Sequence, residues 1–519
     1  MENHQVVVIG AGPGGYRAAF MAADLGLQVT LIDPAANPGG VCLYRGCIPT
    51  KALLHLAKVK NEALKAGEWG LTFQEPVIDR EKVKKWKESV VDKLTGGLGQ
   101  LTKARKINYV RGWARLVDEK TLEIVKNGEN GENVKNVKNE KNVKKEENEK
   151  NVKMVGGSVD DSGNLIRFEH LIIATGAVPV KLPFIGEWTD RIMNAEVALE
   201  LKSIPERLLI IGGGYIGMES ATIYKALGSR VSLVEATPGI MPTMDPELVG
   251  IYWKQNKELF EETWFGTKVV VLDEKEYGVS VTMEKVTSDG VTRDGVTSDG
   301  VVGEGGGIVR EFDAVLVSVG MRPNTQGLEL EKAGVEVDQR GFIKVDEQGR
   351  TNVRNIFAIG DVSGGMLLAH KASYQGRIAA EVIAGQKSAF DARAIPAVVY
   401  TDPEIAVAGL SEQECRERNI SYRAVKFPWA ASGRAVAMGE PVGLTKLLIE
   451  EGTERILGAG IVGKNAGDLI SEAVLGIEMA ARASDIALTI HPHPTVSETL
   501  MEAAELYYGH AVHVSKMKL

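Results

Sequence analysis

The chain predicts an α/β fold class: two Rossmann-like dinucleotide-binding domains followed by a C-terminal α+β domain. Two segments share one local grammar, a short apolar strand, a glycine loop, a small-residue helix and a second strand ending in an acid. Beyond about residue 391 that grammar stops, and strand-like runs alternate with a long helical pattern. At 519 residues the chain is too long for one ordinary core, so three or so domains are expected.

The first copy is VVVIGAGPGGYRAAFMAADLGLQVTLID, with Gly10, Gly12 and Gly15 at G-x-G-x-x-G spacing and Asp33 at the end of its second strand. The second is LLIIGGGYIGMESATIYKALGSRVSLVEA, with Gly212, Gly214, Gly217 and Glu235 in the same places. Glycine lets the backbone approach a pyrophosphate, the positive end of the helix favours its charge, and the acid accepts ribose hydroxyls. A tight turn without a ligand accounts for one copy far more readily than for two, so the chain is expected to bind two dinucleotides. At the second copy Glu235 would repel a 2′-phosphate, and VEATPGIMPTMD offers no basic residue, which favours NAD over NADP.

Between the copies lies GGVCLYRGCIPTK, with Cys42 and Cys47 ahead of a helical-looking stretch, KALLHLAKVKNEAL. Cysteines at this spacing are also found as inert core residues or as half of a metal site. Cys415 is the only other cysteine, too few to complete a cysteine-rich zinc site. A helix N-terminus makes thiols easier to ionise, which favours redox chemistry.

Two low-complexity stretches, residues 126–153 with Asn-Val-Lys-type repeats and residues 286–307 with VTSDG and VTRDG repeats, each lie between strand-like runs. They read as expanded hairpin tips, too polar to bury surface that offsets ordering entropy. NIFAIGDVSGG places Asp361 after another apolar strand, well set to bind a second part of the first dinucleotide. Near the C-terminus, in ALTIHPHPTVSETLMEAAELYY, His491 and His493 flank Pro492 and Glu498 opens a helical stretch.

Composition narrows the function classes. Hydrophobic content of 44%, charged content of 25% and a net charge of −8 offer no general basic field for nucleic acid. A cytoplasmic protein without a membrane span is expected, because the first residues enter a strand at once and no apolar run reaches about 20 residues. With so few cysteines, any disulfide should be catalytic rather than structural.

Taken together, GGVCLYRGCIPTK, both glycine loops, IIATG at 172–176, IGD at 359–361, FPWAASGRAVA and HPHPTVSE resemble the dihydrolipoamide dehydrogenase family of FAD-dependent pyridine nucleotide-disulfide oxidoreductases. The resemblance spans the chain except for the two repeat stretches. It implies an FAD-binding domain at 1–186, an NAD-binding domain at 187–322, a central segment at 323–390 returning to the first domain, and an interface domain at 391–519 that forms a homodimer. For FAD it implies contacts from Gly10, Gly12, Gly15, Asp33, Lys51, Ala114, Thr175, Gly176, Asp361 and Ala369. For NAD it implies Gly212, Gly214, Gly217, Glu235, Val269 and Gly320. Cys42 becomes the interchange thiol and Cys47 the thiol beside the flavin, with Lys51 near the flavin's reactive nitrogen and paired with Glu219. His493 and Glu498 of one subunit are implied to reach the disulfide of the other as base and orienting acid, while His491 reads as structural. The implied reaction oxidises dihydrolipoamide to lipoamide and reduces NAD, in association with lipoyl-bearing subunits of 2-oxo acid dehydrogenase or glycine-cleavage complexes. Tyr44 and Arg45 between the cysteines, Thr50 and Ala114 depart from the commonest family pattern. The alternatives are a related NAD(P)H-dependent disulfide reductase acting on another disulfide, or a chiefly docking role within such an assembly.

Overall fold

Residues 3–125, 165–286 and 307–514 are described by a computed structural model, in which the chain divides into two compact units. The first takes residues up to Pro49 together with Lys85–Pro179 and Met321–Asp391. The second takes Thr50–Lys84, Val180–Gly320 and the C-terminal part from Ala392.

At the centre of the first unit the strand Asn3–Ile9 pairs in parallel with Val29–Asp33 on one side and Leu165–Ile173 on the other. Asn108–Arg111 extends the sheet beyond Val29–Asp33, and Ile356–Ala358 lies beside the end of Leu165–Ile173. Val6, Val7 and Val8 are wholly buried, as an unbroken apolar run in a covered parallel strand should be. The helix Pro13–Asp24 packs on Ala369–Ile383, and small residues permit the approach: a β-carbon on Gly14 would stand 3.2 Å from the Ala372 carbonyl oxygen. Asp33, Thr175 and Asp361 follow or close parallel strands, so all three gather at the carboxyl edge of this sheet.

In the second unit a five-stranded parallel sheet runs in the order Phe260–Phe265, Arg230–Glu235, Arg207–Ile211, Ala314–Val317, Ile192–Met193. A three-stranded antiparallel sheet, Thr267–Lys275, Gly278–Lys285 and Ile308–Phe312, accompanies it. The C-terminal part is a five-stranded antiparallel sheet covered by the helices Ala466–Glu478 and Glu498–Tyr508. Trp429 anchors that layer: its Nε1 donates to Thr445 Oγ1 at 3.0 Å, and Thr445 Oγ1 donates to Thr499 Oγ1 at 2.8 Å. This chain of bonds fixes the start of the helix on which Glu498 stands.

The expected repeat tips at 126–153, and nearly all of 286–307, lie outside the described residues. Their flanks are antiparallel neighbours in both cases, Thr121–Val125 with Leu165–Ile173 and Gly278–Lys285 with Ile308–Phe312. Among the described residues no helix is long and apolar enough to cross a membrane.

Candidate active site

Gly39 and Gly40 bring the cysteine segment onto the first glycine loop. Gly39 N–H donates to the Ala11 carbonyl at 2.8 Å, and Gly40, at φ +59°, lies so close to Gly12 that a β-carbon would collide with its Cα. From there the short helix Gly40–Arg45 carries Cys42, and after Gly46 the helix Cys47–Lys65 begins at the second cysteine. That helix starts a turn earlier than the apolar pattern alone indicates. Cys42 is half-buried, Cys47 is exposed, and the pair approaches to 3.0 Å. The pair is therefore accessible, unlike Cys415, which is wholly buried as a core residue. As the first residue of a 19-residue helix, Cys47 sits where the unsatisfied N–H groups stabilise a thiolate. Tyr16 belongs to this neighbourhood: burial pushes its phenol up, and the charges of Cys42 and Cys47 push it further.

The two glycine loops are built alike. Asp33 Oδ2 accepts from Ala11 N–H at 2.7 Å and Oδ1 from Ala35 N–H at 2.9 Å. Glu235 Oε2 accepts from Gly213 N–H at 2.6 Å and Oε1 from Thr237 N–H at 2.7 Å. Burial pushes the Asp33 carboxyl up, against the pull of its two amides. Gly10 and Gly212 open the loops at positive φ, and a β-carbon on Gly212 would stand 2.6 Å from the Ser318 carbonyl oxygen. Gly15 and Gly217 pack against the carbonyls of Gly10 and Gly212 so tightly that no side chain fits.

The middle glycines differ from these. Gly214 faces open space within 4 Å, and Gly12 meets only Gly40 Cα at 3.8 Å. Both are N-caps of helices of 12 and 13 residues without a side-chain cap, so the first N–H groups of each helix are open to an anion. This cradle fits the pyrophosphate of FAD at the first loop and of NAD at the second.

Other residues expected at the cofactors spread over both units. Thr175 Oγ1 donates to the Asn324 carbonyl at 2.8 Å, Asn324 Nδ2 returns a bond to the Thr175 carbonyl at 3.2 Å, and Asn324 N–H donates to the Gly176 carbonyl at 3.0 Å. Burial pushes the Asp361 carboxyl up while the Lys371 ammonium pulls it down; Lys371 is itself buried and donates to the Gly364 carbonyl. Ala369 opens the helix Ala369–Ile383, and Ala114 is buried in the strand Trp113–Leu116. Val269 is buried in Thr267–Lys275, and Gly320, at φ +122°, follows Ala314–Val317.

Two ion pairs complete the set. Lys51, one turn along the helix from Cys47, donates to both oxygens of Glu219 at 3.0 and 2.9 Å. Glu219 Oε1 also accepts Tyr400 N–H at 3.0 Å, and the Lys51 ammonium lies 4.4 Å from the centre of the Tyr400 ring. His493 Nδ1 bonds Glu498 Oε1 at 2.8 Å, and Thr495 N–H donates to Glu498 Oε2 at 2.7 Å. Burial pushes the Glu498 carboxyl up, but the bonds from Thr495 and His493 outweigh it and hold the group below the usual carboxylate range. The His493 side chain is 75% exposed, so with Nδ1 engaged it presents Nε2 outward. His491 is the opposite case: it is 4% exposed and bound to Glu472 Oε1 at 2.7 Å and to the Thr489 carbonyl at 2.8 Å.

The sequence-predicted residues thus meet as three pairs, Cys42 with Cys47, Lys51 with Glu219, and His493 with Glu498. The thiols lie in the first unit, and the other two pairs in the second. Tyr16, Asn324, Lys371 and Tyr400 escape a sequence reading. Only Lys371, a lysine inside a small-residue helix face, carries a local signal.

Residues 4–376 match the family described as pyridine nucleotide-disulphide oxidoreductase, and residues 395–504 match its dimerisation domain. The chain is 45% identical over 505 residues to a dihydrolipoyl dehydrogenase of Haemophilus influenzae, covering 97% of this chain and 95% of that protein. It is 44% identical to the enzyme of the same name from Vibrio cholerae, covering 97% and 96%. Among solved structures it resembles the Cu(II) complex of the HOCl-induced flavoprotein disulfide reductase RclA from Escherichia coli, with a TM-score of 0.77, 26% identity and coverage of 98% and 100%. LpdA from Mycobacterium tuberculosis shares the fold, with a TM-score of 0.81, 23% identity and coverage of 97% and 99%.

Proposed function

Because the chain belongs to the pyridine nucleotide-disulphide oxidoreductase family, we propose that this FAD- and NAD-dependent homodimer oxidises dihydrolipoyl groups to lipoyl disulfides and reduces NAD. The observation that carries this reading is the near-full-length identity of 45% to a dihydrolipoyl dehydrogenase in a chain that retains both thiols and the His493–Glu498 pair.

In this reading His493 Nε2 takes the proton of one substrate thiol. Glu498 holds Nδ1–H and stabilises the imidazolium, the role of an orienting carboxylate. The substrate thiolate attacks Cys42 of the Cys42–Cys47 disulfide, the S–S bond breaks, and Cys47 leaves as a thiolate favoured by its helix N-terminus. The second substrate thiol then attacks the mixed disulfide, releasing the lipoyl disulfide and the Cys42 thiol. Two electrons and two protons leave the substrate. The chemistry that bound FAD and NAD supply is passage of that electron pair from the dithiol to the nicotinamide as hydride, which regenerates the disulfide and frees one proton. Lys51, tethered by Glu219, would supply a cation to bound FAD in the same scheme.

The base comes from the other subunit. Exposure of His493 supports this, as do Leu475, Met479, Leu488 and Ile490, which are 62%, 73%, 83% and 95% exposed within the matched dimerisation domain. Apolar side chains standing out to this degree are what a subunit interface buries. The partners are lipoyl-bearing subunits of 2-oxo acid dehydrogenase or glycine-cleavage complexes, and the site of action is the cytoplasm, where a chain of three cysteines keeps a catalytic rather than a structural disulfide.

The test is an anaerobic assay of the purified holoenzyme with dihydrolipoamide and NAD or NADP, followed at the NADH absorbance, with glutathione disulfide and NADPH in parallel. Fast NAD reduction is expected. Absent lipoamide turnover in a protein whose flavin NADH still reduces would move the substrate to another disulfide.

A further inference from the structure

At the end of the first unit's sheet opposite its glycine loop, a cavity of about 530 Å³ opens among Lys120, Arg167, Glu169, His170, Arg350 and Arg354. Arg167 and His170 lie in the early part of Leu165–Ile173, and Arg354 immediately precedes Ile356–Ala358. From residue 168 to the strand's end at Ile173 is about 16 Å at the usual strand rise, so the cavity is separate from the dinucleotide cradle. Its lining joins four cations to a single carboxylate, in a chain whose net charge is −8.

We propose that this cavity binds a small polyanion through a phosphate or pyrophosphate group. Among the described residues Lys120, Arg167 and Arg354 form no ion pair with a carboxylate, and all three are exposed at the cavity's rim. Arg350 is held in place: it lies 4.8 Å over the Phe357 ring, and it donates to Gln348 Oε1 at 3.2 Å and to the Arg354 carbonyl at 3.1 Å. A guanidinium fixed in this way loses little freedom on meeting an anion, and its planar fork suits phosphate oxygens. His170 also lines the cavity, with its Nδ1 sealed from solvent and without a hydrogen-bond partner. The ring stands edge-on to Phe357 at 6.4 Å, which fixes its orientation. The volume lies in the ordinary range of small-molecule sites and takes a pyrophosphate with water or a nucleotide-sized ligand.

The test is calorimetric titration of the full-length holoenzyme with inorganic pyrophosphate at constant ionic strength in chloride, alongside an Arg167→Gln/Arg354→Gln double variant. Both side chains are exposed, so folding should survive, which thermal unfolding checks. Pyrophosphate can also enter the second glycine loop, and the variant leaves that loop intact, so only binding lost in the variant counts toward the cavity. The expected result is binding at least tenfold weaker in the variant, with its KM for NAD unchanged. Equal binding by the two proteins would assign the anion to the nucleotide loops, and no binding by the unsubstituted enzyme would empty the cavity of a role; either overturns the proposal.

Discussion

Replacing Glu219 by Gln isolates what the tether does for Lys51. Glu219 Oε1 is shared between the Lys51 ammonium and Tyr400 N–H, both at 3.0 Å, while Oε2 serves Lys51 alone at 2.9 Å. A glutamine keeps the oxygen that Tyr400 needs, but its NH₂ cannot accept from an ammonium. One charge-assisted bond disappears and the other becomes a bond to a neutral amide. The lost bond to a charged group is worth about 1.5–3 kcal/mol unscreened, and solvent screening at the partly open Lys51 reduces the loss to about 1–2 kcal/mol. The Lys51 side chain is 32% exposed, so solvent screens the pair and the lower end applies to stability. In a chain of 519 residues the expected fall in Tm is about 1 °C. Turnover should fall further, roughly 5–30-fold, since each 1.36 kcal/mol of lost positioning is worth tenfold in rate. Thermal unfolding and anaerobic NADH formation read the two effects separately. A lower Tm with unchanged turnover would make the pair a structural strut and refute its assigned part in the reaction.

Three further outcomes are expected. Cys47→Ser should abolish dihydrolipoamide turnover while sedimentation still shows the homodimer; surviving activity would undo the redox assignment. Gly217→Ala places a β-carbon into the Gly212 carbonyl and 2.9 Å from Ser318 Oγ, so KM for NAD should rise on the order of tenfold, about 1.4 kcal/mol, with the flavin absorbance intact. Glu498→Gln should slow turnover roughly 10–100-fold, a part of what general acid–base catalysis contributes. The same variant should lose a limb of the stability profile. Because the folded carboxyl lies below its ordinary value of 4.5, its contribution is present above that pH and is lost as pH falls through the folded value. A variant whose acid unfolding matched the parent's would contradict that linkage.

What the sequence made legible was local. The glycine spacings, the strand-end acids and the cysteine pair are set within a few residues by steric and helix-terminus demands, and each is readable without knowing what packs nearby. The His493–Glu498 bond joins residues five apart and needs only one turn to form. Tyr400 is different: its amide reaches Glu219 across 181 positions, and no periodic pattern announces such a contact. Asn324, which locks Thr175 from 149 positions away, is the same case. The cationic cavity draws on three separated segments, and its arginines read in the sequence as ordinary surface charge. The helix start at Cys47 was hidden for another reason: Ile48 and Thr50 are weak helix formers, and Pro49 reads as a break although its missing N–H removes no bond in a helix's first turn.

The acids at the ends of the second strands show how one residue serves fold and specificity together. Glu235 is 9% exposed and gives one oxygen to Gly213 N–H and the other to Thr237 N–H. Swinging the side chain away would leave two amides without acceptors, at about 1–3 kcal/mol each. The carboxylate is thereby held against the second glycine loop whether or not a nucleotide is bound. Each oxygen keeps a further lone pair for a ribose hydroxyl. A 2′-phosphate would instead meet a fixed negative charge that cannot retreat. In the NAD site proposed for this loop, a preference for NAD over NADP would follow from that immobility as much as from the charge itself, and Glu235→Gln, which retains the Gly213 and Thr237 geometry through a single oxygen at best, should relax the preference only in part.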